Sequence, residues 1–385
     1  MHFKKLSSLV LFLLIMFIFT TSIFADQIKF ARYPHICNGK IAFSYHGDIW
    51  VANEDGSQPY RLTDHVAMDL EPKFSPDGKW IAFSSDRMGN YDLWLIPVRG
   101  GEAKQLTFHT TDDRLTNWTP DGQKLMFRTG RKGTFNSPLY TVDLEGGLPV
   151  PMDMDMGSAG MISQDGTKLA FNRLGFSYWR KHYRGNNNTD IWVQDLKTKA
   201  IQQLTDLDIK QFRSHTQDAF PMWGSDGQIY FMSERDDLFN LWKIAPEGGY
   251  PTQVTFHKKD GIQYPSISPD GKTIVYENEF ELWRYNISDT QPQKIPISIE
   301  FDSKENLIEY IHVESQSDNF APSPDGRYVA LDYHGEIFIA PANPEEGEKS
   351  QVTSSPWRDG VQSYSPDGKY VCYTSDESGD WEIWI

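Results

Sequence analysis

Short apolar and aromatic runs recur along the chain between turn residues, and no segment carries a sustained 3.6-residue period. The runs are tied to one repeated string. Phe74-Ser75-Pro76-Asp77-Gly78-Lys79 returns as Trp118-Thr119-Pro120-Asp121-Gly122-Gln123, Ile267-Ser268-Pro269-Asp270-Gly271-Lys272, Pro322-Ser323-Pro324-Asp325-Gly326-Arg327 and Tyr364-Ser365-Pro366-Asp367-Gly368-Lys369. Weaker copies stand at Ser163-Gln164-Asp165-Gly166 and Gly224-Ser225-Asp226-Gly227. Such a string makes a tight turn. Proline presets its own φ, aspartate bonds its own backbone and glycine accepts a positive φ. A strand-like run follows each turn, as in Trp80-Ile81-Ala82-Phe83 or Tyr328-Val329-Ala330-Leu331.

A second run follows, polar then aliphatic then aromatic: Asp48-Ile49-Trp50, Asp92-Leu93-Trp94, Asp190-Ile191-Trp192, Asn240-Leu241-Trp242 and three-residue relatives at 138–140, 281–283, 336–338 and 382–384. Many repeats close on Leu-Thr or Val-Thr, at Thr63, Thr107, Thr205, Thr255 and Thr353. The turn aspartates are 77, 121, 165, 226, 270, 325 and 367, so the steps are 44, 44, 61, 44, 55 and 42 residues. That is the period of a four-stranded propeller blade. Asn38-Gly39 supplies the turn of a first blade that lacks the full string. The pattern predicts an all-β chain. A six-bladed β-propeller is expected over 26–300. A linker and the first two blades of a second, incomplete propeller are expected over 301–385. The aromatic of the second run is expected to pack between blades.

The first 25 residues differ in kind. Lys4 and Lys5 precede an unbroken apolar run from Leu9 to Phe19, then Thr20, Thr21, Ser22 and Ala25. This is the layout of a signal peptide spanning 1–25, with the mature chain starting near Asp26. Ile23, where a small residue is usual, leaves an uncleaved anchor as the alternative. Either way the chain is exported, to a periplasmic or extracellular compartment.

Charge and composition narrow the function. Lys plus Arg number 37 and Asp plus Glu 53, a net charge of −16. This field disfavours nucleic acid. Aromatics at 14% exclude a disordered chain. The two cysteines, Cys37 and Cys372, read as small buried hydrophobes rather than a disulfide framework.

No catalytic set is visible. There is no Gly-x-Ser-x-Gly elbow and no His-Glu-x-x-His, and no cofactor or metal site is expected. Asp153-Met154-Asp155-Met156 suggests either a calcium site, for which the ligand series is incomplete, or a period-2 strand with one polar face. The 61-residue step holds an insertion, Phe176-Ser177-Tyr178-Trp179-Arg180-Lys181-His182-Tyr183-Arg184, that is both aromatic and cationic. It suits the holding of a carboxylate or a peptide. Equally, it suits a structural loop whose aromatics cover a blade edge.

Three segments resemble tricorn proteases: Arg32-Tyr33-Pro34-His35-Ile36 leading into Asp48-Ile49-Trp50, the Trp179–Gly185 insertion before Asp190-Ile191-Trp192, and Gly326-Arg327-Tyr328-Val329-Ala330 with Gly335-Glu336-Ile337-Phe338. The resemblance implies the propeller portion of a serine peptidase that degrades oligopeptides, with propellers acting as passages and with homo-hexameric assembly. The family's catalytic residues lie beyond residue 385, so the chain itself carries none. The resemblance also implies that basic residues on the first propeller hold a peptide's C-terminal carboxylate. The candidates are Arg131, Lys132, Arg180, Lys181 and Arg184. Archaeal members are cytoplasmic, the alternative to export. Two other readings stay open: a TolB-like envelope-protein-binding propeller and the propeller of a prolyl-oligopeptidase-like enzyme.

Overall fold

The computed structural model describes residues 27–132, 137–183, 185, 187–205, 216–299, 317, 319–343, 347 and 349–385. The signal-peptide expectation over 1–25 and the candidate Arg184 lie outside the described residues. The chain divides into two compact units, Met1–Phe301 and Asp302–Ile385.

Among its described residues the first unit holds six four-stranded antiparallel sheets, each a simple meander of consecutive strands. Their first strands are Arg32–Cys37, Asp69–Phe74, Asp113–Trp118, Ala159–Ile162, Asp218–Trp223 and Gln263–Ile267. The second strands read as continuous apolar runs because both faces are covered. Ile81, Ala82 and Phe83 are wholly buried, as are Leu125, Met126 and Phe127. Each such large side chain contributes roughly 1.5–3 kcal/mol of transfer free energy. Residues 27–30 are tied to the sixth sheet. Ile28 N donates to Ile297 O at 2.9 Å and Phe30 N to Phe280 O at 3.0 Å, and Gln27 bridges Ser298.

The repeated string folds as its residues dictate. Gly78 N donates to Ser75 O at 2.9 Å with Gly78 at φ +73°. Ser75 Oγ donates to Asp77 Oδ1 at 2.7 Å and accepts from Trp80 N at 3.0 Å. The serine therefore locks the turn to the strand that follows. At Asn38-Gly39 both residues take positive φ, 49° and 74°, the geometry of a two-residue hairpin turn. The closing threonines have a defined task as well. Thr107 Oγ1 accepts Leu93 N, and Thr63, Thr205, Thr255 and Thr353 do the same for the matching aliphatic residues, at 2.9 to 3.0 Å.

One expectation changes. Residues 153–155 form a bend rather than a strand, and Asp153 and Asp155 pair with separate cations, Lys199 and Arg173. The aromatics of the second run pack on clusters that join neighbouring sheets: Trp50 on the one shared by the first and sixth sheets, Trp94 on the one shared by the first and second and Trp242 on the one spanning the fourth, fifth and sixth. Trp94, Trp192 and Trp242 are half-buried, and each lies beside a guanidinium, Arg87 at 5.0 Å, Arg173 at 5.2 Å and Arg235 at 5.9 Å.

The second unit holds a four-stranded sheet with first strand Phe320–Pro322 and a three-stranded sheet with first strand Asp359–Tyr364. Among its described residues Ala330 and Ile337 are the buried apolar ones. Both cysteines are free. Cys37 is buried, and burial pushes its thiol up to about 11.

Candidate functional site

The first strands of the sheets are not regular. Pairing slips between Arg32 and His35, Leu70 and Lys73, Ala219 and Met222, and Gln263 and Ser266. At each slip one non-glycine residue is left-handed: Tyr33 (φ 53°), Glu71 (58°), Phe220 (56°) and Tyr264 (46°). A bulge of this kind re-aims a side chain. Here all four line one cavity of about 280 Å³, to which the first strand of every sheet in the unit contributes. Val361 (φ 48°) repeats the feature in the second unit, so the bulge belongs to the repeat. What distinguishes the cavity is which residues the bulges present.

One wall is charged. Glu71 accepts two hydrogen bonds from Arg114, Nε to Oε2 at 3.0 Å and Nη2 to Oε1 at 2.9 Å. Ser84 Oγ donates to Oε2 at 3.0 Å, and Arg128 Nη2 stands 3.8 Å from Oε1. Burial raises the Glu71 carboxyl, but Arg114, Arg128 and Ser84 outweigh it and hold it below its ordinary value. Arg114 also lies 4.1 Å from the Tyr91 ring centroid. Deeper in, two residues before the Ser75 turn, is Lys73. Burial pulls its ammonium down to about 8, with Glu71 opposing. Beside it His35 is 3% exposed. Burial and then Lys73 push its pKa well below the ordinary value, so the imidazole is neutral. Its Nδ1 accepts Phe74 N at 3.0 Å, which leaves the proton on Nε2.

The other wall is aromatic. The Tyr33 and Tyr264 rings are 4.2 Å apart, Tyr178 meets Tyr264 edge-on at 5.1 Å, and Phe176 meets Phe220 at 5.7 Å. Phe176 and Tyr178 come from the insertion, which crosses onto the neighbouring sheets. Tyr178 Oη accepts Tyr264 N at 2.7 Å, and the Glu234 carboxylate accepts His182 N at 3.0 and 2.9 Å. Gln217 Nε2 donates to Arg180 O. The insertion thus brings Phe176 and Tyr178 to the cavity, while Arg180 and Lys181 do not line it.

The basic residues singled out from the sequence lie elsewhere. Arg131 is bound to Asp113, Nε to Oδ1 at 3.2 Å, with the Phe127 and Tyr140 rings beside it. Lys132 is exposed and Lys181 is half-buried, directly after the short turn of helix Tyr178–Arg180. Arg180 lies 4.8 Å from the Tyr183 ring centroid. None of these four lines the cavity. Glu71, Lys73, Arg114 and Arg128, which do, were not singled out. Their signal was charge alternating through strands whose two faces ought both to be covered, as in Glu71-Pro72-Lys73 just before a Ser-Pro-Asp-Gly turn. Among the described residues no cluster of His, Cys, Asp or Glu is placed to hold a metal ion.

A second cavity, about 510 Å³, lies at the turn end and shares His35, Asn117 and Ile267 with the first. These three residues stand between the two spaces. The turns around it are joined, Ser225 N to Gly271 O at 2.8 Å and Gln164 Nε2 to Pro269 O at 3.1 Å.

A ring of meander sheets around a lined axis is a propeller, and residues 28–291 match the tricorn protease N-terminal beta propeller domain. The chain belongs to that family. A tricorn protease homolog of Saccharolobus solfataricus is 23% identical over 326 residues, covering 83% of this chain and 29% of the relative. Tricorn protease homolog 1 of Streptomyces coelicolor is 28% identical over 279 residues, covering 70% and 25%. The crystal structure of the tricorn protease superimposes with a TM-score of 0.65 at 18% identity, over 92% of this chain and 39% of that one, a likeness of fold. The chain therefore spans under a third of the length of these curated tricorn relatives.

Proposed function

We propose that this chain is the propeller portion of an exported tricorn-like serine peptidase that degrades oligopeptides, the first unit forming a six-bladed ring and the second opening a further propeller. The observation that carries this reading is the family match over 28–291. The ring contributes an axial cavity and a loop-bearing face rather than chemistry, and the peptide is held, not cut, by these residues. Assembly as a homo-hexamer and export through the segment 1–25 belong to the same reading. Lys132, Arg180, Lys181 and Arg184 remain its candidate holders of a peptide C-terminal carboxylate, while Arg131 is paired with Asp113.

The test compares the whole gene product with the 385-residue chain. The former is expected to cleave free oligopeptides and to be stopped by a serine-directed inhibitor. The latter is expected to bind the same peptides without cleaving them. Replacing Lys132, Arg180 and Lys181 by alanine should weaken binding of free peptides more than of C-terminally amidated ones. A whole gene product without peptidase activity overturns the reading.

A further inference from the structure

The charged wall of the axial cavity is unbalanced. Lys73, Arg114 and Arg128 face the single carboxylate of Glu71. Arg114 and Ser84 already satisfy that carboxylate. Among the described residues Lys73 has no hydrogen bond or ion pair from its ammonium, and its neighbour His35 is neutral. An ammonium drawn away from water with no direct hydrogen-bond partner is costly, and at Lys73 burial outweighs the attraction of Glu71 and depresses the pKa. The chain as a whole carries −16, so a cationic well on its axis runs against its composition. Facing this well, within one space of about 280 Å³, stand Phe220 and the Tyr33–Tyr264 pair. A few placed polar groups against an aromatic wall is the make-up of a small-ligand pocket.

We propose that the axial cavity binds a carboxylate carried on an aromatic or branched aliphatic group. Lys73 takes the carboxylate, Arg128 supports it from the rim, and Phe220 with the two tyrosines takes the apolar body. This site is distinct from the loop cations Lys132, Arg180 and Lys181. It does not depend on the peptidase reading, because a peptide terminus and a free small acid share the chemistry.

The experiment is calorimetric titration of the 385-residue chain with N-acetyl-phenylalanine and with its amide. The acid is expected to bind at least about tenfold more tightly, the worth of one charge-assisted contact. Lys73→Met should remove the preference for acid over amide, and Lys73→Arg should keep it. Lys73→Met removes a buried charge, so its melting temperature should not fall, which separates lost binding from lost fold. Ala-Ala-Phe with a free or amidated terminus identifies the source. A Lys73-dependent preference for the free peptide means the cavity receives peptide ends. A preference shown by the small acid alone means a free carboxylate, with the proposal intact and the peptide reading unsupported at this cavity. Equal binding of acid and amide, or a preference unchanged in Lys73→Met, overturns the proposal.

Discussion

The Arg87 guanidinium lies on the Asp69 carboxylate, Nη2 to Oδ2 at 2.7 Å, with the Trp94 ring centroid 5.0 Å away. Asp113 with Arg131 and Asp218 with Arg235 repeat the pair. Each aspartate opens a first strand and each arginine lies just past or at the end of the second. The pair thus fastens the rim of a sheet opposite its Asp-Gly turn.

The first prediction follows from burial. Asp69 and Asp113 are both 0% exposed, so removing either arginine strands a carboxylate. Arg87→Met and Arg131→Met are each expected to cost about 3–5 kcal/mol, measured by denaturant unfolding. Peptide affinity of the folded fraction should not change. An Arg131→Met chain that kept its stability and lost peptide affinity would restore the binding role for Arg131.

The closing threonines support a second prediction. Thr255 is 0% exposed and its Oγ1 accepts Leu241 N at 2.9 Å. Thr255→Val keeps the shape and leaves that N–H without an acceptor, at about 1–3 kcal/mol. Thr255→Ser keeps the acceptor and should retain most of the stability. Equal melting temperatures for the valine and serine variants would show that the hydroxyl contributes nothing.

How far the sequence reached depends on what repeats. The Asp-Gly turn, the aromatic run and the closing threonine recur because every blade solves the same backbone problem: Ser75, Thr119 and Ser268 each lock their turn through the same hydroxyl contacts. The axial site has no such period. Glu71, Lys73, Arg114 and Arg128 come from two sheets, converge only when the ring forms, and hold different residue types at equivalent positions. The insertion stood out in the sequence by its cations, yet it is Phe176 and Tyr178 that reach the cavity. Arg131 carried charge beside a loop, the same signal as a ligand-holding residue. Its commitment to Asp113 rests on a contact eighteen positions back in the chain.

A third prediction concerns pH. Burial raises the Glu277 carboxyl to about 8 against the opposing pull of Arg32 and the Tyr33 N–H. Its Oε1 accepts Tyr33 N at 2.8 Å. The folded chain therefore holds a proton that the unfolded chain releases above the ordinary value of 4.5. The contribution to stability is complete below that value and is lost as pH rises towards about 8, at up to about 1.4 kcal/mol per pH unit. Glu277→Gln keeps the acceptor for Tyr33 and removes the titration. Its melting temperature should match the parent near pH 4.5 and exceed it by pH 8. Parallel curves across that window would mean that Glu277 stays ionised in the folded chain.

The last prediction contrasts the two units. In the first, six sheets enclose continuous clusters, such as that of Ala219, Phe231, Leu241 and Tyr276 around the fifth sheet. In the second, Phe320 is 75% exposed, Val361 63% and Ile383 76%, and among the described residues the buried apolar ones are Ala330 and Ile337. A repeat sheet gains stability by burying its faces against neighbours, and about three repeats are normally needed. The second unit has two sheets among the described residues. As the 385-residue chain, the protein is expected to open in two steps, the second unit first. Limited proteolysis should leave a resistant fragment ending near residue 300 while 320–385 is degraded. A resistant fragment that retained 320–385, or a single cooperative transition reported equally by probes placed in both units, would show instead that the two stand or fall together.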